Sequence, residues 1–234
     1  MMGQLIDMSL SLLLQGAKVT LLIGVVGIVA GFPLGVALGL LRTGSQRAFT
    51  ALGDAYSGFF RGTPMLVQIF IIYYGFGQLS FIQDTPSLWW LFGDSLHCAM
   101  MTVLLNTIAY TSEIFRGAFL AVPQGTLEAA LACGMSPATT LRRVRFPLAV
   151  RQALPAYGNE VAIVIKESSL ASTITVLEIT GQAKRLMSET FAIIEIFAIA
   201  SAFYLVINFF ALFVVRYIER WLLDGKSASH SPAI

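Results

Sequence analysis

Long stretches without charge are the feature that most restricts how this sequence can fold. No Asp, Glu, Lys or Arg occurs in residues 19–41, 62–83 or 196–215. Each stretch reaches the roughly 20 residues that a helix needs to cross the hydrocarbon core of a bilayer. Only 12% of the chain is charged, against about a quarter of an ordinary soluble domain. The sequence therefore predicts an integral membrane protein built from helices.

Two further apolar stretches bring the expected number of membrane spans to about five. The stretch 95–112 is uncharged, whereas 152–177 contains Glu160, Lys166 and Glu167. No soluble module or internal repeat is visible, so we expect an all-α integral membrane protein with a single transmembrane domain. That domain comprises residues 1–234, with spans at about 12–41, 62–82, 95–116, 152–175 and 195–216 and a short polar tail at 225–234.

The distribution of Lys and Arg predicts how the chain is oriented in the membrane. Eleven of the 15 basic residues follow the first, third and fifth expected spans, on segments that share one side of the membrane. Short basic loops tend to stay in the cytoplasm. We therefore expect the amino end outside the cytoplasm and the carboxyl end inside it.

Polar residues inside the expected spans are candidates for function, because an ionisable group at the bilayer centre costs about 2.5–3.5 kcal/mol on insertion scales. In the third span, Asn106, Tyr110 and Glu113 are spaced by four and then three residues and share one helical face. These residues and those of the fourth span predict either a hydrophilic path for a polar solute between the two spans or a structural network of hydrogen bonds. The fourth span contributes Asn159, Glu160 and Lys166.

Neither a catalytic site nor a metal site is expected. The only histidines are His97 and His230, and the sequence has no Ser/His/Asp set and no phosphate-binding glycine loop. We therefore predict no catalytic residue, no metal, no cofactor and no enzymatic activity. The net charge of +2 gives no reason to expect a nucleic-acid partner. Any nucleotide-driven activity has to come from another chain.

The loop at about 123–147, which follows the third span, contains signals for two short helices. Thr126 is a candidate N-cap for the first helix, and Gly134 stands where a left-handed residue would end it. Ser136 and Pro137 then favour the start of a second helix. Pro147 is expected to interrupt that helix before the fourth span.

The first of these helices has an apolar stripe with no membrane to cover it. Leu127, Ala130 and Leu131 form the stripe. A neighbouring helix of this chain or a groove on a partner has to cover it.

The same loop carries a family signature. Its pattern is E-A-A, three residues, Gly, nine residues, I-x-L-P, and it resembles the signature of the membrane subunits of ATP-driven import transporters. Val144 stands in place of the Ile and Phe146 in place of the Leu, both apolar replacements. The residues in register are Glu128, Ala129, Ala130, Gly134, Val144, Phe146 and Pro147.

Other stretches narrow the resemblance. The segments "FRGTP", "LNTIAYTSEIFRGAFLAVPQGTLEAA" and "LPAYGNEV" are similar to polar amino acid permeases, in particular to the M-type subunit of histidine, octopine and nopaline transporters. The resemblance implies a type I ABC importer permease fold in the bacterial inner membrane. It also implies a Q-type permease partner, two copies of an ATP-binding ABC subunit, a periplasmic solute-binding protein, and membrane lipid around the complex.

The resemblance further implies a mechanism. The loop would act as a coupling helix that inserts into the ATPase, and the permease would move a basic amino acid or opine by alternating access. Glu160 is the first candidate for meeting a cationic group of the solute. A secondary amino acid transporter and a membrane assembly or signalling subunit without transport remain as alternatives.

Overall fold

The computed structural model describes residues 2–224, and the side chains of residues 9–222. Regular secondary structure in the described residues is entirely helical, as the sequence predicts. The predicted polar tail at 225–234 lies outside the described residues. The α-helices are α1 Met2–Leu41, α2 Arg47–Gly62, α3 Met65–Phe70, α4 Ser80–Gln83, α5 Pro86–Phe92, α6 Ser95–Leu120, α7 Gln124–Ala132, α8 Pro137–Thr140, α9 Phe146–Glu167, α10 Ile179–Thr190 and α11 Ile193–Asp224.

Three of these helices are long and apolar enough to cross a membrane. They contain the segments Ser9–Leu41, Ser95–Leu120 and Ile193–Leu222, which correspond to the first, third and fifth expected spans. The first extends further toward the amino end than the expected start at residue 12, and the third and fifth extend beyond their expected carboxyl ends. The second and fourth expected spans differ more.

The second expected span, at 62–82, is not one continuous helix. α2 ends at Gly62, and Thr63 and Pro64 have extended backbone conformations before α3 begins. Proline disfavours the helical region for the residue before it, which accounts for the extended Thr63. α3 continues through a π-helical turn at Ile71–Gly75 and a 3₁₀ turn, so the apolar helical run Met65–Gln78 is shorter than a full span.

α2 completes this crossing from the other side of the break. It runs antiparallel to α6, because Ser57 donates a hydrogen bond to the Ala109 carbonyl (3.3 Å), whereas Phe60, later in α2, accepts one from Asn106 (3.4 Å), earlier in α6. The end of α2 lies beside the middle of α6, since Phe60 contacts Asn106, the twelfth residue of the 26-residue α6.

The fourth expected span, at 152–175, begins earlier than predicted. α9 starts at Phe146, tolerates Pro155 in its interior, and is followed by a 3₁₀ helix at Ser168–Ile174. Thr175 then has a left-handed conformation (φ 69°) that ends the run. The chain turns there into α10, which packs against α1 and α11.

Close packing of α1 on α6 forms the centre of the fold. The glycines of α1 face α6: a Cβ at Gly35 would lie 2.5 Å from the Cβ of Thr111, and one at Gly39 would lie 2.7 Å from the Ser112 carbonyl oxygen. Small residues permit this approach, since lipid gives helices no hydrophobic drive to associate. The glycines of α1 therefore serve packing within the chain.

A methyl group at Gly35 tests this packing. We expect Gly35→Ala to destabilise the protein by about 1–3 kcal/mol, because overpacking forces the two helices apart. The control is Gly117→Ala on α6, where no atom lies within 4 Å of the added Cβ. Melting in detergent, followed by size-exclusion chromatography, compares the two. Equal melting temperatures would contradict the close approach.

Candidate functional site

The loop between α6 and α9 folds as two capped helical segments. α7 ends in a Schellman motif: the Met135 amide donates to the Ala130 carbonyl (3.1 Å) and the Gly134 amide to that of Leu131 (2.9 Å). Gly134 has φ +82°, which confirms its predicted left-handed conformation. The predicted cap at Thr126 is wrong, because α7 begins two residues earlier at Gln124 without a side-chain cap.

The second segment merges with α9. Ser136 caps α8 by accepting a hydrogen bond from the Thr139 amide (3.3 Å), as predicted. A π-helical turn at Leu141–Arg145 then leads directly into α9. The predicted interruption at Pro147 is therefore wrong. Proline lacks an N–H and crowds the carbonyl four residues earlier, and the wider π turn immediately before it makes room for the ring.

The loop buries part of its apolar stripe against its own chain. Ala130 is buried and Leu127 packs against the buried cluster that includes Phe119, whereas Leu131 remains 47% exposed. Arg145 fixes the far side of the loop, with its Nε and Nη2 each 3.4 Å from the Phe119 carbonyl oxygen. Thus only the outer part of the stripe is left for a partner.

The signature residues divide by exposure. Glu128, Ala129 and Gly134 are exposed, Ala130 is buried, and Val144 and Pro147 are half-buried. Beside them lies an open cavity of about 620 Å³ between the loop and the connection from α1 to α2. Leu131, Leu141 and Phe49 are among the side chains that line it. The loop therefore presents a polar edge next to an apolar recess.

A second polar region surrounds the break between α2 and α3. The Gln68 Nε2 donates to the carbonyl oxygens of Phe60 (2.8 Å) and Thr63 (3.0 Å), and its Oε1 accepts from Asn106 Nδ2 (3.1 Å). Carbonyls freed at a break in a membrane helix need such partners, because no water is present in the hydrocarbon to replace them. Asn106 and Gln68 together stabilise this break.

Three arginines converge on Glu113 next to the break. Its carboxylate lies 2.7 Å from Arg42, 2.9 Å from Arg61 and 2.5 Å from Arg116. The Arg42 side chain is 5% exposed and also contacts Asp54 (2.7 Å) on α2. The network therefore joins the end of α1 to both α2 and α6, with three positive and two negative groups.

The six predicted pathway residues fall into two groups. Asn106, Tyr110 and Glu113 face α2 and α3, and the Arg61 guanidinium lies 5.9 Å from the centre of the Tyr110 ring. No hydrogen bond or ion pair joins them to the second group within the described part of the chain. That group, Asn159, Glu160 and Lys166, lies on α9.

The three residues of the α9 group differ in their exposure. Asn159 and Lys166 are exposed, whereas Glu160 is only 5% exposed. Among the described side chains, those of residues 9–222, Glu160 has neither a hydrogen-bond partner nor an ion-pair partner. A carboxylate in this environment is costly unless it takes up a proton or a group outside the described residues compensates its charge.

Sequence reasoning missed several residues of these networks. Arg42 and Asp54 are 12 residues apart between the first and second expected spans, and only the amphipathic pattern of α2 indicates a helix there. Gln68 lies within the uncharged stretch 62–83. Its position four residues after Pro64 was the available signal for a side chain that satisfies a break.

Glu178 was also missed, although it is completely buried. Its carboxylate accepts hydrogen bonds from Tyr204 (2.5 Å), from Thr20 (3.4 Å) and from the Thr180 and Gly181 amides. Burial raises the pKa of this carboxyl, and the four hydrogen bonds oppose that shift. Glu178 thereby caps α10 and connects it to α1 and α11.

Comparison with known proteins identifies the family. Residues 31–224 match the family described as the binding-protein-dependent transport system inner membrane component. The chain belongs to this family. It is a permease, and the predicted family is thereby confirmed.

Three curated relatives of this permease are similar over nearly its whole length. The nopaline transport system permease protein NocM of Agrobacterium fabrum is 44% identical, over 94% of this chain and 91% of that protein. The octopine transport system permease protein OccM of Rhizobium meliloti is 44% identical, over 94% and 89%. The arginine ABC transporter permease protein ArtM of Haemophilus influenzae is 36% identical, over 92% and 93%.

Solved structures agree with the fold. A chain in the crystal structure of an amino acid ABC transporter with histidines superposes with a TM-score of 0.75 at 29% identity, covering 94% of this permease and 96% of that chain. The MetNI methionine ABC transporter, in an inward-facing conformation, gives 0.70 at 20% identity, over 90% and 96%; that likeness concerns the fold alone. The predicted ABC importer permease fold is confirmed.

The family fixes the general role of the protein. It is the multi-pass inner membrane component of an ABC importer, in which the permease works with ATP-binding and solute-binding components. The permease component is not itself the ATPase.

The Arg42 network predicts a difference between arginine and lysine. We expect Arg42→Lys to destabilise the permease by about 1–3 kcal/mol, because one ammonium cannot bridge Asp54, Ser112 and Glu113 as the guanidinium does. Thermal melting in detergent measures the effect. Arg47→Lys, at an exposed position five residues away, is the control and should leave melting unchanged. If both variants melted alike, Arg42 would not be joining the helices.

Proposed function

We propose that this permease carries a polar, basic amino acid or an opine derived from one into the cell by alternating access. Support for the solute class comes from the relatives, which are named for nopaline, octopine and arginine transport. The observation that carries the proposal is the buried carboxyl of Glu160. It lacks a partner within the described chain, and a cationic group of the solute would supply one.

The energetic reason is the same one that makes such residues rare in membranes. A buried carboxylate without a compensating charge is unfavourable by several kcal/mol. Its retention is explained when the compensating charge arrives with the solute, because binding then relieves the penalty. Asn159 lies beside Glu160 as a neutral contact, and Lys166, about two turns further along, would balance a carboxylate of the solute.

The broken crossing of α2 and α3 supports a second part of the path. Non-helical backbone at membrane depth is tolerated where it is buried in protein or lines a polar cavity, and transporters use broken helices at their binding sites. Asn106, Tyr110 and Glu113 line this break. In this proposal they contact the solute's polar groups.

Energy enters through the loop at 123–147. Its exposed edge, Glu128, Ala129 and Gly134, and the uncovered side chain of Leu131 fit insertion into a groove on an ATP-binding subunit. Ala130, Val144 and Pro147 hold the loop on its own chain.

Two copies of the ATP-binding subunit, a Q-type permease and a periplasmic solute-binding protein complete the proposed assembly. The positive-inside pattern favours a periplasmic amino end and a cytoplasmic carboxyl end.

Gly134 tests the coupling assignment. We expect Gly134→Asp to leave the permease in the membrane but to abolish ATP-dependent uptake and binding of the ATP-binding subunit. A side chain at φ +82° strains the turn by roughly 1–2 kcal/mol and redirects the loop. Uptake in vesicles and co-purification of the ATP-binding subunit measure the two effects.

The matched control is Gly125→Asp in α7. It introduces the same charge in the same loop, at an exposed glycine with no atom within 4 Å and no left-handed backbone. This variant should retain coupling. Normal uptake in Gly134→Asp would contradict the role of the turn, and uptake driven by a proton gradient without ATP would indicate a secondary transporter.

Glu160 tests the solute assignment. We expect Glu160→Gln to lower the apparent affinity for cationic solutes by roughly tenfold or more, since the amide cannot form an ion pair. The apparent affinity for neutral amino acids should change much less. Concentration-dependent uptake by proteoliposomes that contain the whole transporter, with the solute-binding protein saturated, gives both values. Glu167→Gln, on the same helix, is the control. Unchanged affinity and selectivity in Glu160→Gln would exclude it from the site.

A further inference from the structure

The carboxyl-terminal part of α11 combines an apolar surface with two arginines. Residues 196–215 are uncharged, which corresponds to about 30 Å of helix and matches the hydrocarbon thickness. Arg216 is the first charge after this stretch, and Arg220 follows one turn later. Both arginines therefore lie at headgroup depth at the end of the span.

The same depth follows from the aromatic residues around the arginines. Tyr217 is 66% exposed and Trp221 is 70% exposed, on the turn that carries Arg220. Tyrosine and tryptophan concentrate at the interface between hydrocarbon and water. The helix segment Ile193–Leu222 is about 45 Å long, so its final turns extend beyond a core of about 30 Å.

A shallow groove connects the arginines to the apolar surface. Its volume is about 310 Å³, and every residue that lines it belongs to α11. Phe209 and Phe213, which are 72% and 67% exposed, lie on the hydrocarbon side of Arg216. The groove is lined by Phe209, Leu212, Phe213, Arg216, Tyr217 and Arg220.

The two arginines lack a compensating charge among the described side chains, which are those of residues 9–222. Neither Arg216 nor Arg220 forms an ion pair or a hydrogen bond with any of them. They are four residues apart and repel each other on one helical face. Glu219 is the acid nearest in sequence, and it pairs with neither. An anion between the two guanidinium groups would remove this repulsion.

We propose that this groove binds one anionic phospholipid, with its phosphate between Arg216 and Arg220 and one acyl chain along Phe209 and Phe213. Basic clusters at the end of a span recognise anionic headgroups, and each arginine near the surface favours them by about fivefold. The apolar half of the groove favours a lipid over free phosphate, which would leave the two phenylalanine side chains uncovered. The site lies apart from the solute path and the coupling loop.

Quenching by brominated lipids tests the proposal at a single site. The chain has three tryptophans, and Trp89→Phe with Trp90→Phe leaves Trp221 as its reporter. The same measurement on a further Trp221→Phe variant is subtracted to remove the signal of tryptophans in the other subunits. The complete transporter is reconstituted in phosphatidylcholine with brominated phosphatidylglycerol or brominated phosphatidylcholine. We expect phosphatidylglycerol to quench Trp221 with at least fivefold higher apparent affinity, and inorganic phosphate to leave that preference unchanged.

The double variant Arg216→Gln with Arg220→Gln should abolish the preference. Arg142→Gln with Arg143→Gln removes the same charge from an exposed pair on the coupling loop and should retain it. Equal quenching by the two lipids in the transporter that keeps Arg216 and Arg220 would overturn the proposal. Absence of quenching by either lipid would overturn it too, because another protein chain would then cover the groove.

Native mass spectrometry provides a measurement that needs no tryptophan substitution. The purified transporter should retain about one more anionic lipid for each copy of this permease than the Arg216→Gln, Arg220→Gln variant retains. Equal retention by the two would count against the site, whereas loss of the lipid in the Arg142→Gln, Arg143→Gln control would show that the attraction is only one of overall charge.

Discussion

The approach of α1 to α6 without intervening side chains is the constraint on which the other arrangements depend. Glycines at Gly27, Gly31, Gly35 and Gly39 bring the α1 backbone against Val103, Thr107, Thr111 and Ser112 on α6. This contact places the end of α1 beside Ser112, which is where Arg42 can reach α6. It also brings the amino-terminal part of α1 against α10, where Gly16 lies against the Glu178 backbone. Larger residues in α1 would separate both networks from their partners.

Two kinds of polar interaction build on that packing. Gln68 and Asn106 form hydrogen bonds at the break between α2 and α3. Arg42 forms ion pairs with both Asp54 and Glu113. These groups stabilise a non-helical segment at the level of the middle of α6. The same features that allow the break to persist also make it polar. Under the proposed function, stability and solute passage would therefore depend on overlapping residues.

The sequence was sufficient for the parts of the fold that local rules determine. Charge-free length identified α1, α6 and α11, and turn chemistry identified Gly134 and Ser136, because each depends on few neighbouring residues. It was insufficient where a contact distant in sequence decides the outcome. Arg42 and Glu113 are 71 residues apart, and nothing local indicates their pairing. At Pro147 a local rule led to a wrong prediction. Proline usually interrupts a helix, but the π turn before Pro147 accommodates its ring and the helix continues. The separation of Asn106, Tyr110 and Glu113 from the α9 residues likewise follows from which helices become neighbours.

The π turn at Leu141–Arg145 also has a mechanical consequence. Because the turn preserves helical continuity, residues from Pro137 to Glu167 form one rod rather than a hinged pair. Glu160 lies 23 residues beyond Pro137, a distance of about 35 Å along the axis. In the proposed coupling mechanism, a displacement of the loop would reach that carboxyl as tilt and twist of a single body.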